Sequence, residues 1–156
     1  MTGARDDAMD RLRVSQILFP TDYSEASLAA GRMAANLARR FEARLHVVHV
    51  VPPVTDPGSA DAMQTALAEL GPDLDVLTAV IFGRPTREIV AYAARHGIDM
   101  IVMGTHGRTG VAHALLGSVA AVVVRRATCP VLTVPGRIAD ESPAQRPQAV
   151  DETARR

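Results

Sequence analysis

The feature that most constrains the fold is a regular alternation of short, largely apolar runs with longer helix-forming segments. Five such runs occur in order along the chain: Val14–Pro20, Arg44–Val51, Leu74–Gly83, Asp99–Gly104 and Pro130–Pro135. Their lengths and β-branched residues are typical of strands. Strands that alternate with helices pair in parallel through right-handed crossovers and carry helices on both faces. The sequence therefore predicts an open five-stranded α/β sandwich, although periodicity alone leaves the strand order open.

The segments between the runs carry helix signals. The spacing i, i+3, i+4, i+7 predicts one apolar face on the first helix, formed by Ala30, Met33, Ala34, Leu37, Ala38 and Phe41. Glycine and proline mark the ends of the other helices. The predicted helices are Ser24–Phe41, Ala60–Leu70, one that begins at Pro85 and ends at Gly97, and one that begins near Gly117-Ser118.

Composition narrows the classes of function. The 156-residue chain fits one domain, and its zero formal net charge gives no reason to expect nucleic acid or a membrane as a partner. All 17 basic residues are arginine, which excludes a Walker A lysine and a Schiff base. Cys129 is the single cysteine, as suits a reducing compartment. The charged N-terminus lacks the apolar core of a signal peptide, so we expect a cytoplasmic protein.

Three parts of the chain differ in character. Residues 1–12 form a charged N-terminal extension, residues 13–136 hold all the predicted strands and helices, and residues 137–156 are polar, contain proline and show no periodicity. We expect one domain over 13–136, followed by a disordered tail.

The segment between the fourth strand and the last helix, "MGTHGRTGVAHALLGS", predicts an anion site. Gly104 and Gly107 follow a strand end, where a backbone without Cβ atoms can approach an anion and its N–H groups can form a nest. Gly117 and Ser118 begin the last helix, whose free N–H groups and dipole favour negative charge. Two such elements can converge on a chain of phosphates. His106 and Arg108 offer further donors from the rim.

The spacing G-x2-G-x9-G-S of Gly104, Gly107, Gly117 and Ser118 resembles the nucleotide-binding motif of the universal stress protein family. The resemblance extends to "ILFPTDYSE" at the first strand, "HVVHVVP" at the second, "DMIVMGTHGRTG" at the fourth and "CPVLTVP" at the fifth. It covers residues 14–135. The family also has a branch that lacks the glycine motif and does not bind ATP. Because this chain carries the whole motif, it is similar to the ATP-binding branch.

The resemblance implies a Rossmann-like three-layer sandwich of the adenine nucleotide alpha hydrolase type, with strand order 3-2-1-4-5. It also implies ATP as ligand, with ADP or AMP as alternatives and Mg²⁺ alongside. Asp22 would contact the nucleoside, Val50 the adenine, Met103 and Gly104 the sugar, and Gly107, Gly117 and Ser118 the phosphates. The full candidate set is Pro20, Thr21, Asp22, Val50, Met103, Gly104, His106, Gly107, Arg108, Gly117, Ser118 and Val119. The stretch between Pro53 and Leu74 is short for the family, which places its helix, and a lid over the base, in question.

Several candidates also have a purely structural interpretation. Asp22 could belong to the start of the first helix, and Ser118 could cap the last one, with or without a ligand role. His106 could be a solvated loop residue. His46 and His49 lie on a strand, where a structural role is favoured.

The sequence shows no set of base, nucleophile and metal ligands that would define an enzyme. The favoured function is a nucleotide-dependent regulatory or signalling module of the stress response. The alternatives are a slow ATPase or self-phosphorylating protein, and an interaction dimer that holds no physiological nucleotide. The uncharged strand Val131–Val134 would lie at a sheet edge in the implied order, so we expect a homodimer through that edge.

Overall fold

The computed structural model describes residues 13–53, 59–105 and 116–136, without the side chains of residues 25, 26 and 59–61. The strands are β1 (Gln16–Thr21), β2 (Arg44–Val51), β3 (Val76–Phe82), β4 (Met100–Gly104) and β5 (Val131–Val134). The helices are α1 (Glu25–Phe41), α2 (Ser59–Leu70), α3 (Pro85–Arg95) and α4 (Ser118–Arg126). The expected N-terminal extension and disordered tail lie outside the described residues.

The five strands form one parallel sheet in the order β3-β2-β1-β4-β5, which confirms the predicted fold class and order. Thr21 at the end of β1 pairs with His49 of β2, and Gly104 at the end of β4 pairs with Val134 of β5. The order reverses between β1 and β4. In doubly wound sheets, this switch point at the carboxyl ends of the strands is where ligands bind.

Each face of the sheet has its own core cluster. On the face covered by α1 and α2, Phe19 and Val47 are almost fully buried. On the opposite face, covered by α3 and α4, Leu18, Ile101 and Val123 are fully buried. Because side chains alternate along a strand, the central strands are apolar on both faces. The carboxyl ends of β1 and β4 therefore emerge from strands that are packed on both faces.

Helix α1 packs closely against the sheet through small residues. Ala30, Ala34 and Ala38 are buried as predicted, and Ala35 joins them. The prediction that Met33 and Phe41 lie on the buried face is wrong, since they are 41% and 44% exposed. Alanines let the helix approach along a narrow strip, and the larger side chains at the rim of that strip remain in contact with solvent.

Helix α2 is present, which corrects the doubt raised by the short segment that contains it. Met63, Ala66 and Leu70 are buried, and Met63 and Leu70 belong to the core cluster shared by α1 and the sheet. Gly71, at φ 85°, ends the helix in a conformation that glycine adopts readily. One helix face is thus enough to anchor the segment.

Strands β1 and β4 begin two residues and one residue later than predicted, and a carboxylate links the residues that precede them. Asp99 precedes β4, and its Oδ2 accepts hydrogen bonds from Ser15 N–H at 2.8 Å, Ser15 Oγ at 2.9 Å and Gln16 N–H at 2.9 Å. Asp99 N–H also donates to the Gln16 carbonyl at 2.9 Å, so backbone and side chain of one residue join the two strands at their amino ends.

Candidate functional site

The chain leaves β1 through a hydrogen-bonded turn. The buried Thr21 Oγ1 accepts from Tyr23 N–H at 3.1 Å and lies 2.7 Å from Ser27 Oγ. Asp22 Oδ1 accepts from Ser24 N–H at 3.0 Å, and Ser24 Oγ caps α1 by accepting from Ser27 N–H at 3.2 Å. Asp22 therefore contributes to the helix start, as its structural interpretation predicted.

The end of β2 lies beside this turn. Val50 is buried on the α3/α4 face, whereas His49 is half-buried on the other face. His49 Nδ1 lies 2.8 Å from the Thr21 carbonyl oxygen. The His49 and Tyr23 rings pack with their centroids 4.5 Å apart. The ends of β1 and β2 are thus joined by side chains as well as by the strand ladder.

Two backbone hydrogen bonds join the end of β4 to its neighbours. Thr105 N–H donates to the Val134 carbonyl at 3.0 Å, and the Thr105 carbonyl accepts from Gly117 N–H at 2.6 Å. Thr105 and Gly117, 12 positions apart in the sequence, are therefore in direct contact. The candidates His106, Gly107 and Arg108 lie outside the described residues.

Helix α4 begins one residue earlier than a Ser118 cap requires. Its N-cap is Gly117, whose carbonyl accepts from Ala121 N–H at 2.8 Å, and no side chain caps it. The alternative interpretation of Ser118 as the helix cap is wrong, because Ser118 is already the first helical residue, and it is exposed. The first N–H groups of a helix have no partner within it, and the first turn of α4 holds no acidic residue. An anion would meet these groups and the positive end of the helix dipole.

The structure places most of the sequence-predicted residues at the carboxyl end of the sheet, which is the edge where its parallel strands finish. Parallel strands end at the same edge, and β1 lies between β2 and β4. The residues at this edge are Pro20, Thr21, Asp22, Val50, Met103, Gly104, Gly117, Ser118 and Val119. Sequence reasoning missed Tyr23 and Thr105. Tyr23 could not be found from the sequence, because a tyrosine in a turn does not by itself indicate a left-handed backbone. Thr105 could not be found because its contacts depend on the register between distant segments.

A second group of titratable side chains lies at the opposite, amino end of the sheet. The buried His46 has Nδ1 at 2.9 Å from Tyr92 Oη and Nε2 at 2.7 Å from Gln16 Oε1, which confirms a structural role. His96 stacks on Tyr92 with ring centroids 4.0 Å apart. Burial lowers the pKa of His46, the charges of His96 and Arg44 lower it further, and Asp75 opposes them.

The described ranges show neither a metal centre nor a membrane span. No group of three or more His, Cys, Asp or Glu side chains in them could hold a metal ion. No helix in the same ranges has the length and apolar character needed to cross a bilayer.

The strand order and the helices on both faces define a Rossmann-like doubly wound fold. The model of the universal stress protein family matches residues 14–135. A universal stress protein of Methanocaldococcus jannaschii is 38% identical over 137 residues, covering 76% of this chain and 81% of the relative. This chain belongs to the universal stress protein family.

Solved structures agree with this assignment. The universal stress protein UspA from Lactobacillus plantarum is similar with a TM-score of 0.64 at 28% identity, covering 78% of this chain and 98% of that chain. A universal stress protein solved in complex with cAMP has a TM-score of 0.65 at 28% identity, covering 77% of this chain and 95% of that chain.

Proposed function

We propose that this protein binds an adenine nucleotide at the carboxyl ends of β1 and β4 and acts as a nucleotide-dependent regulatory or signalling module of the stress response. The ligand proposed is ATP, with ADP or AMP as alternatives. The observation that carries the proposal is the hydrogen bond from Gly117 N–H to the Thr105 carbonyl, 2.6 Å long. Because it joins the end of β4 to the start of α4, the two ends of the glycine motif lie together at the switch point.

The start of α4 supports the phosphate half of the proposal. A glycine N-cap adds no Cβ that would obstruct an anion, and the first turn carries no opposing carboxylate. Ser118 is exposed at the first helical position, where its N–H and hydroxyl can both donate to phosphate oxygens. In this proposal Val119 N–H, next to Ser118 in the first turn of α4, also donates to phosphate. His106, Gly107 and Arg108 make the remaining phosphate contacts.

The nucleoside half is proposed for the ends of β1, β2 and β4. Asp22 would contact the nucleoside beside Pro20 and Thr21, Val50 would lie against the base, and Met103 with Gly104 would lie near the sugar. The relative solved with cAMP supports an adenine nucleotide as the class of ligand. Mg²⁺ is proposed to arrive bound to the phosphates of the nucleotide, which already supply oxygen ligands for it.

Three further properties belong to the proposal: location, oligomeric state and rate of hydrolysis. In this proposal the protein is cytoplasmic, where ATP is available, and two copies form a homodimer through Val131–Val134. Hydrolysis is expected to be slow, below the ~1–10³ s⁻¹ typical of enzymes, because the sequence offers no evident catalytic base. A steady-state assay with Mg²⁺ that gave rates inside that range would favour the ATPase alternative.

The test is to replace Gly107 or Gly117 with valine and to measure ATP binding by titration calorimetry. A Cβ at either position should block the approach of phosphate and weaken binding by about tenfold or more, while circular dichroism stays that of a folded α/β protein. Thr128→Val is the matched control, because it adds a valine at an exposed position beyond the other end of α4.

Denaturing the freshly purified protein provides an independent check, since a resident adenine nucleotide would be released. Unchanged affinity in both glycine variants would remove the glycine motif from the site. Absence of ATP binding by the unsubstituted protein would overturn the function itself.

A further inference from the structure

The peptide between Thr21 and Asp22 is held by a histidine from the neighbouring strand. His49 Nδ1 lies 2.8 Å from the Thr21 carbonyl oxygen, and the two residues pair in register across β1 and β2. A carbonyl oxygen can only accept a hydrogen bond, so Nδ1 carries the proton and Nε2 keeps the lone pair in the neutral ring. The backbone at the candidate site therefore fixes the tautomer of His49.

The residue after Asp22 is held by the same imidazole. Tyr23 has φ 62°, a left-handed conformation that bulky residues seldom adopt. Its ring packs on the His49 ring with centroids 4.5 Å apart and planes tilted by 36°. Within the described part of the chain, its buried hydroxyl has no hydrogen-bond partner. Such a residue persists because its surroundings hold it, and His49 is part of those surroundings.

Asp22 lies between these two anchored groups. On its amino side, the Thr21 carbonyl is fixed by His49 Nδ1. On its carboxyl side, Tyr23 N–H donates to Thr21 Oγ1 at 3.1 Å, and the Tyr23 ring is packed by His49. A side chain of β2 therefore contributes, together with the hydrogen bonds within the turn, to the direction in which the Asp22 backbone leaves β1.

We propose that His49 is a positioning residue of the nucleotide site, acting through the Thr21–Asp22 peptide and the Tyr23 turn. Its Nδ1–H makes the main contribution by holding the Thr21–Asp22 peptide in place before the ligand arrives, and the ring contact with Tyr23 makes a smaller one, so that binding does not have to order the turn. The inference deepens the proposed function and rests on it, because it assigns His49 to the affinity for nucleotide rather than to the core.

Two substitutions separate the hydrogen bond from the ring. Asparagine in His49→Asn places an amide N–H close to the position of Nδ1, whereas phenylalanine in His49→Phe keeps a flat ring for Tyr23 and removes the donor. We expect His49→Phe to weaken ATP binding by about tenfold and His49→Asn to stay within about threefold of the unsubstituted protein. His96→Phe is the control, because it makes the same exchange at the amino end of the sheet and should leave the affinity unchanged. Equal losses in the two His49 variants, or no loss in His49→Phe, would overturn the inference.

A second measurement uses the protein without nucleotide. Imidazole ¹H–¹⁵N spectra should show His49 protonated at Nδ1, and the backbone amide signal of Asp22 should move in His49→Phe and return in His49→Asn. If His49 only stabilised the fold, both substitutions would lower the melting temperature, and the Asp22 amide signal would not return in His49→Asn.

The two experiments also distinguish the inference from the function on which it rests. If the unsubstituted protein fails to bind ATP, the proposed function fails, and the spectra still decide whether His49 positions Asp22. A ring protonated at Nε2, measured on the unsubstituted protein and so independent of any variant's folding, would overturn the positioning role in either case.

Discussion

At the scale of single residues, two histidines on β2 have different environments three positions apart. His46 lies on the α3/α4 face, 4% exposed, with Tyr92 and Gln16 as hydrogen-bond partners. His49 lies on the other face, half-buried, and holds the end of β1. Because side chains alternate along a strand, an odd spacing places the two rings on opposite sides of the sheet. One strand thus serves the core at its start and the candidate site at its end.

The pKa of His46 predicts a pH dependence of stability. Burial, His96 and Arg44 together lower the pKa in the folded protein. The unfolded chain takes up a proton near the ordinary histidine pKa of about 6.5, while the folded chain does so only at lower pH. The stability linked to His46 is therefore complete above about pH 6.5 and is lost as the pH falls through the lower, folded pKa.

Urea unfolding of the unsubstituted protein and of His46→Gln, measured across this interval, checks that expectation. The two proteins differ only at position 46, so the decisive quantity is the difference between their two slopes of unfolding free energy against pH. The slope should be smaller in His46→Gln, and identical slopes would contradict the assignment to His46.

At the scale of elements, the contact between α1 and β1 limits which residue can occupy position 31. A Cβ built on Gly31 would lie 2.9 Å from Cε1 and Cζ of Phe19, whose side chain is 1% exposed. The buried ring has little room to move. This close approach is what permits the alanine face of α1 to lie directly on the sheet.

Gly31→Ala should therefore lower stability, although helix propensity alone would raise it by about 1 kcal/mol. Overpacking a core position costs about 1–3 kcal/mol, which outweighs that gain. Asn36→Ala on the exposed side of α1 is the control and should raise the melting temperature. If Gly31→Ala also raised it, the contact with Phe19 would be looser than described.

At the scale of the whole molecule, the sheet has two edges, β3 and β5. Between Val131 and Val134 no charged side chain discourages pairing with a second chain, and Leu132 is 39% exposed. Antiparallel pairing of this strand with its copy would close a two-fold interface, the commonest symmetry among soluble oligomers.

Sedimentation of the full chain should accordingly show a dimer, and Leu132→Glu should shift it toward monomer. Leu77→Glu is the matched control, since it places the same charge on the β3 edge at a residue that is 36% exposed. A chain that ends at Gly136 decides whether the following residues cover β5. Dimerisation only after that truncation would favour a covering tail, and monomers in both chains would rule out the strand-edge dimer.

The sequence by itself determined the parallel α/β class and, within the described residues, the five strands and four helices. These follow from periodicity and from glycine and proline signals, which are local properties of the chain. The strand order came from the family resemblance rather than from the pattern, and the structure confirms it. The candidate residues could also be predicted from the sequence, because residues that follow parallel strands lie together at the carboxyl end of the sheet.

Only the tertiary structure decided how that end is built. Two hydrogen bonds at this end of the sheet, Gly117 N–H to the Thr105 carbonyl and His49 Nδ1 to the Thr21 carbonyl, join residues that are far apart in the sequence. The N-cap of α4 is Gly117, one position before Ser118. The exposure of Met33 likewise depends on how closely α1 approaches the sheet. Local patterns carry no information on such distances, because register across strands is set by the packing of the whole core.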